Sequence, residues 1–424
     1  MSIEGSATGR SLLDCLSLRA EKSAAGRVKR LSPADWHELA DSAAWHRVAP
    51  LLYYRLRERG LDGLCPEPVL ELLRETYRHN ALRNLRLYHE LGSILPALAG
   101  VGIPTIVLKG GFVARTVYED DALRPMLDLD LLIRKEHLSK ARDILLGLDF
   151  RERARSVDEP RSTAFHHMPR LIKHGGAVVE LHWTIVNPTT RAKEVICPFD
   201  LRPEDLWERA IPFDVAGAEA LALCIEDLLL HLSLHLVYVH RLEFGILGLC
   251  DISEAVRHYQ GSLDWGALDR RAGRWGARRC AYLSLRLARD LLAAEVPDEV
   301  LAALEPDDVD PRLVAWAGEQ ILLGRSSAFP PLYNLAHLRG DRSLEQRALA
   351  PLRTIFPPRE YMATLYSVPE SSWRVYLCYL VRLGHLARKY AHVVWRMLRR
   401  DEAVVAEIER EQRVRAMMDW LSSG

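Results

Sequence analysis

Near residue 100 the spacing of apolar residues in this chain changes period, and that change limits what the chain can fold into. From Val69 to Leu98 apolar residues recur at helical spacing among many arginines. Ile103-Pro104-Thr105-Ile106-Val107-Leu108 then forms a short β-branched run bounded by glycines, the pattern of a buried strand. Leu129 to Ile133 and Ala177 to Ile185 read as further strands, with a helix over about 135–146 between them. Upstream, Ser32-Pro33-Ala34-Asp35 is a helix start: an N-cap acceptor, proline at the first helical position and an acid in the first turn. Downstream, helix is expected over 219–240, after an N-cap at Asp264, over 277–295 and over 373–420, whereas 325–372 holds six prolines and reads as irregular. The expectation is an α+β chain: a small mixed-sheet core at 101–200 between helical regions at 1–100 and 201–424.

Composition narrows the function classes. Lys plus Arg and Asp plus Glu both total 57, so a dedicated nucleic-acid binder, which shows a basic excess, is disfavoured. Seven scattered cysteines without a CxxC pair fit reduced thiols in a cytoplasmic protein, and neither a disulfide framework nor a zinc site. The N-terminus lacks a signal-peptide core, and the uncharged stretch from Leu91 to Leu108 is broken by Pro96 and Pro104, so no transmembrane segment is expected.

The chemistry concentrates between Leu108 and Trp183. In Asp128-Leu129-Asp130 the strand period of two puts both carboxylates on one face. Paired carboxylates repel, and a bound cation such as Mg²⁺ or Mn²⁺ keeps both ionised. Gly110-Gly111 follows a strand and can open a helix whose N–H groups receive a phosphate, and Lys109 adds a point charge; a plain tight turn is the alternative. In Val178-Val179-Glu180-Leu181-His182-Trp183, Glu180 and His182 share a face, and Glu180 supplies the third acid that a two-metal site needs.

Taken together, Lys109-Gly110-Gly111, the DxD pair and the later strand acid resemble the DNA-polymerase-β-like nucleotidyltransferase superfamily. Leu108-Lys109-Gly110, Arg124, Asp128 to Leu132 and Glu180-Leu181-His182-Trp183 resemble one branch of it, a bacterial uncharacterised nucleotidyltransferase family with the pattern LKG…R…DxDLL…ELHW. A looser likeness takes in Trp36, Ala43, Pro50-Leu51-Leu52, His231, His235, Leu249-Cys250-Asp251 and Phe356-Pro357-Pro358. The resemblance implies that Asp128, Asp130 and Glu180 hold two Mg²⁺ or Mn²⁺ ions and that Gly110-Gly111 faces a triphosphate. It also implies transfer of a nucleoside monophosphate from an NTP, ATP first among them, to a small-molecule, sugar or peptide acceptor. The rival readings are sugar transfer from a nucleotide-activated donor and a catalytically lapsed nucleotide-binding module. Sixteen residues separate Gly111 from Asp128, more than in compact superfamily members, so an extra turn or helix is expected there.

Several residues keep two readings. Arg124 either clamps a phosphate or pairs with a nearby acid. His182 either orients a substrate or a metal-bound water, or is a satisfied neighbour of the site. His166-His167 is a candidate pocket wall. His231 and His235, four apart, fit either zinc spacing or packing beside the cleft. Between Trp373 and Arg400 seven Lys/Arg and no acid accompany an apolar stripe, which fits a membrane-facing or acidic-partner surface, or a docked helix with a solvated basic face.

Overall fold

The computed structural model describes residues 7–18, 22–152, 167–186, 189–191, 194–196, 198–243, 245–323, 356–366, 368–369, 371–399 and 401–423. His166, Cys197 and most of the proline-rich stretch lie outside the described residues. The chain divides into two compact units, one up to residue 323 with the last few residues, the other over 356–420.

In the first unit, helices α1 (Ala7–Leu16), α2 (Lys22–Val28), α3 (Pro33–Trp45), α4 (Ala49–Glu58) and α5 (Glu67–Ala99) precede the sheet. The α3 start is a capping box: Ser32 Oγ accepts from the Asp35 N–H at 3.2 Å and the Ser32 N–H donates to Asp35 Oδ2 at 2.8 Å. Next come β1 (Ile106–Val107), α6 (Lys109–Thr116), β2 (Leu129–Leu132), α7 (Leu138–Gly147), β3 (Phe150–Glu152), β4 (Leu171–Lys173) and β5 (Val178–His182). A separate small hairpin, β6 (Thr189–Arg191) with β7 (Glu194–Ile196), leads to α8 (Pro203–Glu208), β8 (Ile211–Val215) and β9 (Ala218–Ala222). The seven-stranded mixed sheet runs β3-β4-β5-β2-β1-β9-β8. Strands β2 and β5 are parallel, as are β1 and β9, while β1 and β2 are antiparallel.

Residues 218–222 correct one expectation, since helix was read from residue 219. Ala216 (φ 53) and Gly217 (φ 75) turn the chain left-handed, which closes β8 and β9 into a hairpin. Leu221 then pairs with Ile106, so a cross-strand partner far away in sequence overrides the helical preference of Glu-Ala-Leu-Ala.

Helices complete the unit: α9 (Ile225–Leu234), a π-helical turn at His235–Val239, α10 (Gly245–His258), α11 (Trp265–Trp275), α12 (Arg278–Leu292), α13 (Asp298–Leu304) and α14 (Pro311–Leu323). Asp264 caps α11 as expected, accepting from the Ala267 N–H at 2.8 Å. The second unit holds α15 (Arg359–Leu365), α16 (Arg374–Leu398) and most of α17 (Glu402–Leu421). Met362, Ala363, Val375 and Cys378 form a small core there, and Trp373, Tyr376, Leu380 and Trp395 are exposed. The side chains of Lys389, Tyr390, Val393 and Met397, part of the basic apolar stripe, lie outside the described residues. Among the described residues no helix is long and apolar enough to cross a membrane, and the stretch from Leu91 to Leu108 is the end of α5 followed by β1.

The long connection before β2 is α6 followed by turns held against α5. Asn80 Nδ2 donates to the Ala122 carbonyl at 2.6 Å, and Asn84 Nδ2 to the carbonyls of Asp121 at 2.5 Å and Arg124 at 2.9 Å. The Met126 N–H donates back to Asn84 Oδ1 at 3.3 Å. Both asparagines are buried, so these bonds are made away from water, where leaving the loop's polar groups unmatched would be costly.

Candidate active site

The site grows from the pairing of β2 with β5. In their parallel register Asp130 lies opposite Glu180 and Leu132 opposite His182. Alternation puts Asp130, Glu180 and His182 on one face, with Asp128 in the bend just before β2, while Leu129, Leu131, Val179 and Leu181 are buried on the other. The Leu108 N–H donates to the Asp130 carbonyl at 2.9 Å, so α6 begins beside the acids. Two glycines let that start pack closely. A Cβ on Gly111 would come within 2.8 Å of Val107 Cγ1, and one on Gly110 within 2.7 Å of an Arg124 guanidinium nitrogen. Tyr88 of α5 ties the helix down, its hydroxyl donating to the Gly111 carbonyl at 3.1 Å.

Asp130 is 4% exposed and Glu180 6% exposed, so each needs partners to stay ionised. Lys109 Nζ lies 3.1 Å from Asp130 Oδ2, and His182 Nε2 lies 2.9 Å from Asp130 Oδ1. The same His182 nitrogen is 3.4 Å from Glu180 Oε2, and Arg170 Nε donates to Glu180 Oε1. His167 Nε2 stands 3.9 Å from Glu180 Oε2. Lys109 Nζ also donates to His235 Nε2 at 2.6 Å, which requires that nitrogen to be unprotonated.

The three carboxyls titrate differently. Burial and the neighbouring Asp130 charge push Asp128 up to about 6. Burial would raise Asp130 too, but Lys109 and the hydrogen bond from His182 outweigh it and hold Asp130 well below the usual carboxylate range. Against the same burial, the hydrogen bond from His182 brings Glu180 down to about 2. Burial opposes the charged form of His182, yet Asp130 and Glu180 raise its pKa. Burial and the Lys109 charge push His235 well below the ordinary histidine value and His240 down to about 4.

Of the two roles open to Arg124, the ion pair is realised. Its Nη2 lies 2.8 Å from Asp251 Oδ2 and its Nε 3.1 Å from Oδ1, while Nη1 donates to the Pro125 carbonyl at 3.3 Å. The Tyr118 hydroxyl donates to Asp251 Oδ1 at 2.9 Å. The fork is thus occupied by a buried carboxylate of α10, directly under Gly110. On the histidine helix the rings pack against one another. The rings of His231 and His235 are 6.1 Å apart, and those of His235 and His240 only 4.1 Å. Among the described residues, the group that could hold a metal ion is Asp130, Glu180 and His182, whose ligand atoms lie within 4.8 Å of one another. Two carboxylate oxygens and one imidazole nitrogen at that spacing fit a divalent cation.

Sequence reasoning missed Arg170, His240, the partner role of Asp251, and Arg47. Arg170 precedes a three-residue strand and belongs to no spacing pattern. His240 lies five residues after His235, a spacing that only the π turn stacks on one side; the His240 N–H donates to the His235 carbonyl at 2.9 Å. Asp251 lay within the quoted Leu249-Cys250-Asp251 likeness, but no local signal gives a partner 127 positions away. Arg47 is half-buried with φ 59; burial lowers its pKa and the Asp128 charge opposes that shift.

A family model described as an uncharacterised nucleotidyltransferase matches residues 32–293. No curated protein and no solved structure matches the chain.

Proposed function

The chain belongs to this uncharacterised nucleotidyltransferase family, and we propose that it moves a nucleoside monophosphate from an NTP, ATP first among them, to a small-molecule, sugar or peptide acceptor, releasing pyrophosphate. One observation carries the reading: Asp130 and Glu180 stand opposite each other on adjacent strands next to the glycine start of α6, with Asp128 one residue before β2. Asp128, Asp130 and Glu180 would hold two divalent ions, Mg²⁺ or Mn²⁺. When bound, such ions neutralise the triphosphate and activate the acceptor hydroxyl or amine for attack on the α-phosphorus.

The protein's own groups supply the rest. Lys109 stands at the α6 start with a nitrogen 3.1 Å from Asp130, so its charge serves an anion bound there. The N–H groups of Gly110 and Gly111 face the phosphates at the positive end of the helix. Arg124 acts on the site from behind, its guanidinium packed under Gly110 and tied to Asp251. His167 and His182 line the acid face. Retention of all three acids favours an active enzyme over a lapsed nucleotide-binding module.

The test is incubation of the purified protein with each NTP and Mg²⁺ or Mn²⁺ and with panels of sugars, small molecules and peptides. The expected result is metal-dependent pyrophosphate release with a nucleotide mass added to one acceptor class. Release of a nucleoside diphosphate from a sugar nucleotide, with no pyrophosphate from any NTP, would replace this reading with sugar transfer. Lys109→Ala should weaken binding of a non-hydrolysable triphosphate about tenfold or more and leave nucleoside binding unchanged.

A further inference from the structure

His182 distinguishes this acid cluster from an all-oxygen site. The residue is 3% exposed and lies two positions beyond Glu180 on the same face of β5. Its backbone is fixed on both sides: its carbonyl accepts from the Ile133 N–H at 2.8 Å, and it forms a bridge with His167. The imidazole is therefore aimed by the sheet. A histidine that only satisfies a neighbouring acid needs one acceptor for one N–H. Here a single nitrogen, Nε2, faces one oxygen from each of two carboxylates, at 2.9 Å from Asp130 and 3.4 Å from Glu180. Ligands bound at about 2.1 Å in neighbouring positions around an octahedral ion stand about 3 Å apart, and these separations are of that size.

We infer that His182 Nε2 ligates the same divalent ion as Asp130 and Glu180, so that the site takes a first-row transition ion such as Mn²⁺ in preference to Mg²⁺. The inference rests on the metal site proposed above and names its ligand set. Mg²⁺ keeps oxygen ligands and water around it, whereas a mixed oxygen and nitrogen set favours the transition ions, which bind imidazole more strongly. An imidazole in the inner shell also leaves the site with one negative charge fewer than a carboxylate at the same position would. A divalent ion is then held by chemical type as well as by charge.

Pulsed EPR of Mn²⁺ bound to the full-length protein tests this. The wild type should show ¹⁴N coupling from one imidazole, and Mn²⁺ should bind at least about tenfold more tightly than Mg²⁺ in competition. In His182→Gln the coupling should vanish and Mn²⁺ affinity should drop at least about tenfold, with a much smaller change for Mg²⁺. In His167→Gln the coupling should persist. The wild-type spectrum decides the matter even where His182→Gln fails to fold. Mn²⁺ binding that depends on Asp130 but shows no nitrogen coupling overturns the role of His182 and leaves the proposed function standing. Coupling that survives His182→Gln overturns it as well. Mn²⁺ and Mg²⁺ binding that is absent, or unchanged in Asp130→Asn, overturns the metal site itself and with it the proposed function.

Discussion

The seam between β2 and β5 and the helices beside it both bury charge, but they balance it differently. Among the helices the buried acids Asp251, Asp227 and Glu254 are each matched by arginine, with Arg271 shared between Asp227 and Glu226. Asp251 holds Arg124 at 2.8 Å, Asp227 holds Arg209 at 2.9 Å and Arg271 at 3.0 Å, and Glu254 holds Arg55 at 2.6 Å and Arg257 at 2.8 Å. At the seam three acids crowd round Lys109, Arg170 and His182, and no cation of the described residues lies within ion-pair distance of Asp128. Pairs of the first kind tie a buried acid of one helix to arginines of its own and of neighbouring elements. The seam thus leaves Asp128 without an ion-pair partner among the described residues, which favours an added cation over further packing.

The sharpest break in this contrast is Asp130→Asn. Turnover should fall at least about a thousandfold, some 4 kcal/mol of transition-state stabilisation, while the thermal transition is retained. Turnover within tenfold of wild type, read by pyrophosphate release, would put Asp130 among the structural acids. Arg124→Ala or Asp251→Ala should instead cost about 3–5 kcal/mol of stability, because each leaves a buried charge unpaired. The double variant Arg124→Met with Asp251→Leu should recover most of that loss in denaturant titrations. A loss below about 1 kcal/mol in either single variant would mean that the pair does not hold α10 to the loop.

Asp128 tests the contrast through pH. Its folded pKa, about 6, lies above the ordinary value of 3.8, so the stability tied to its protonated form is present below 3.8 and is lost as pH rises through 6. Metal-free Asp128→Asn should therefore match wild type near pH 4 and exceed it at pH 7.5 by at most about 3 kcal/mol. Chemical denaturation in chelator at stepped pH reads this, and a difference that does not vary with pH would contradict the crowding. The smallest effect belongs to Gly111→Ala, whose Cβ meets Val107 Cγ1 at 2.8 Å. A stability loss of about 1 kcal/mol or a little more is expected from overpacking, measured by thermal melting.

Legibility in the sequence followed the range of each interaction. Strand period put Asp128 with Asp130 and Glu180 with His182, while joining Glu180 to the pair took the third-acid argument and the family likeness; the caps at Ser32 and Asp264 are set by residues three positions apart. The α+β class followed from the change of period near residue 100. The pairing of β9 with β1 was hidden, since Glu219 to Leu221 carries helix-forming residues and its partner is Ile106. Arg124 could be marked as important but not assigned, because both of its readings call for a guanidinium and only the tertiary fold brings Asp251 to it. His240 escaped because a π turn follows no residue preference that a period search detects.

The stapling of the loop before β2 by Asn80 and Asn84 has a kinetic side. A free loop that supplies a binding residue must be ordered when the ligand arrives, at roughly 1 kcal/mol per residue in lost backbone freedom. Here that ordering is complete once the chain has folded, so a ligand that Asp128 takes on the proposed function would meet a loop already in place and lose little to slow rearrangement. On the proposed function Asn84 would thereby act on how quickly a ligand is captured, although its side chain is turned toward the loop backbone.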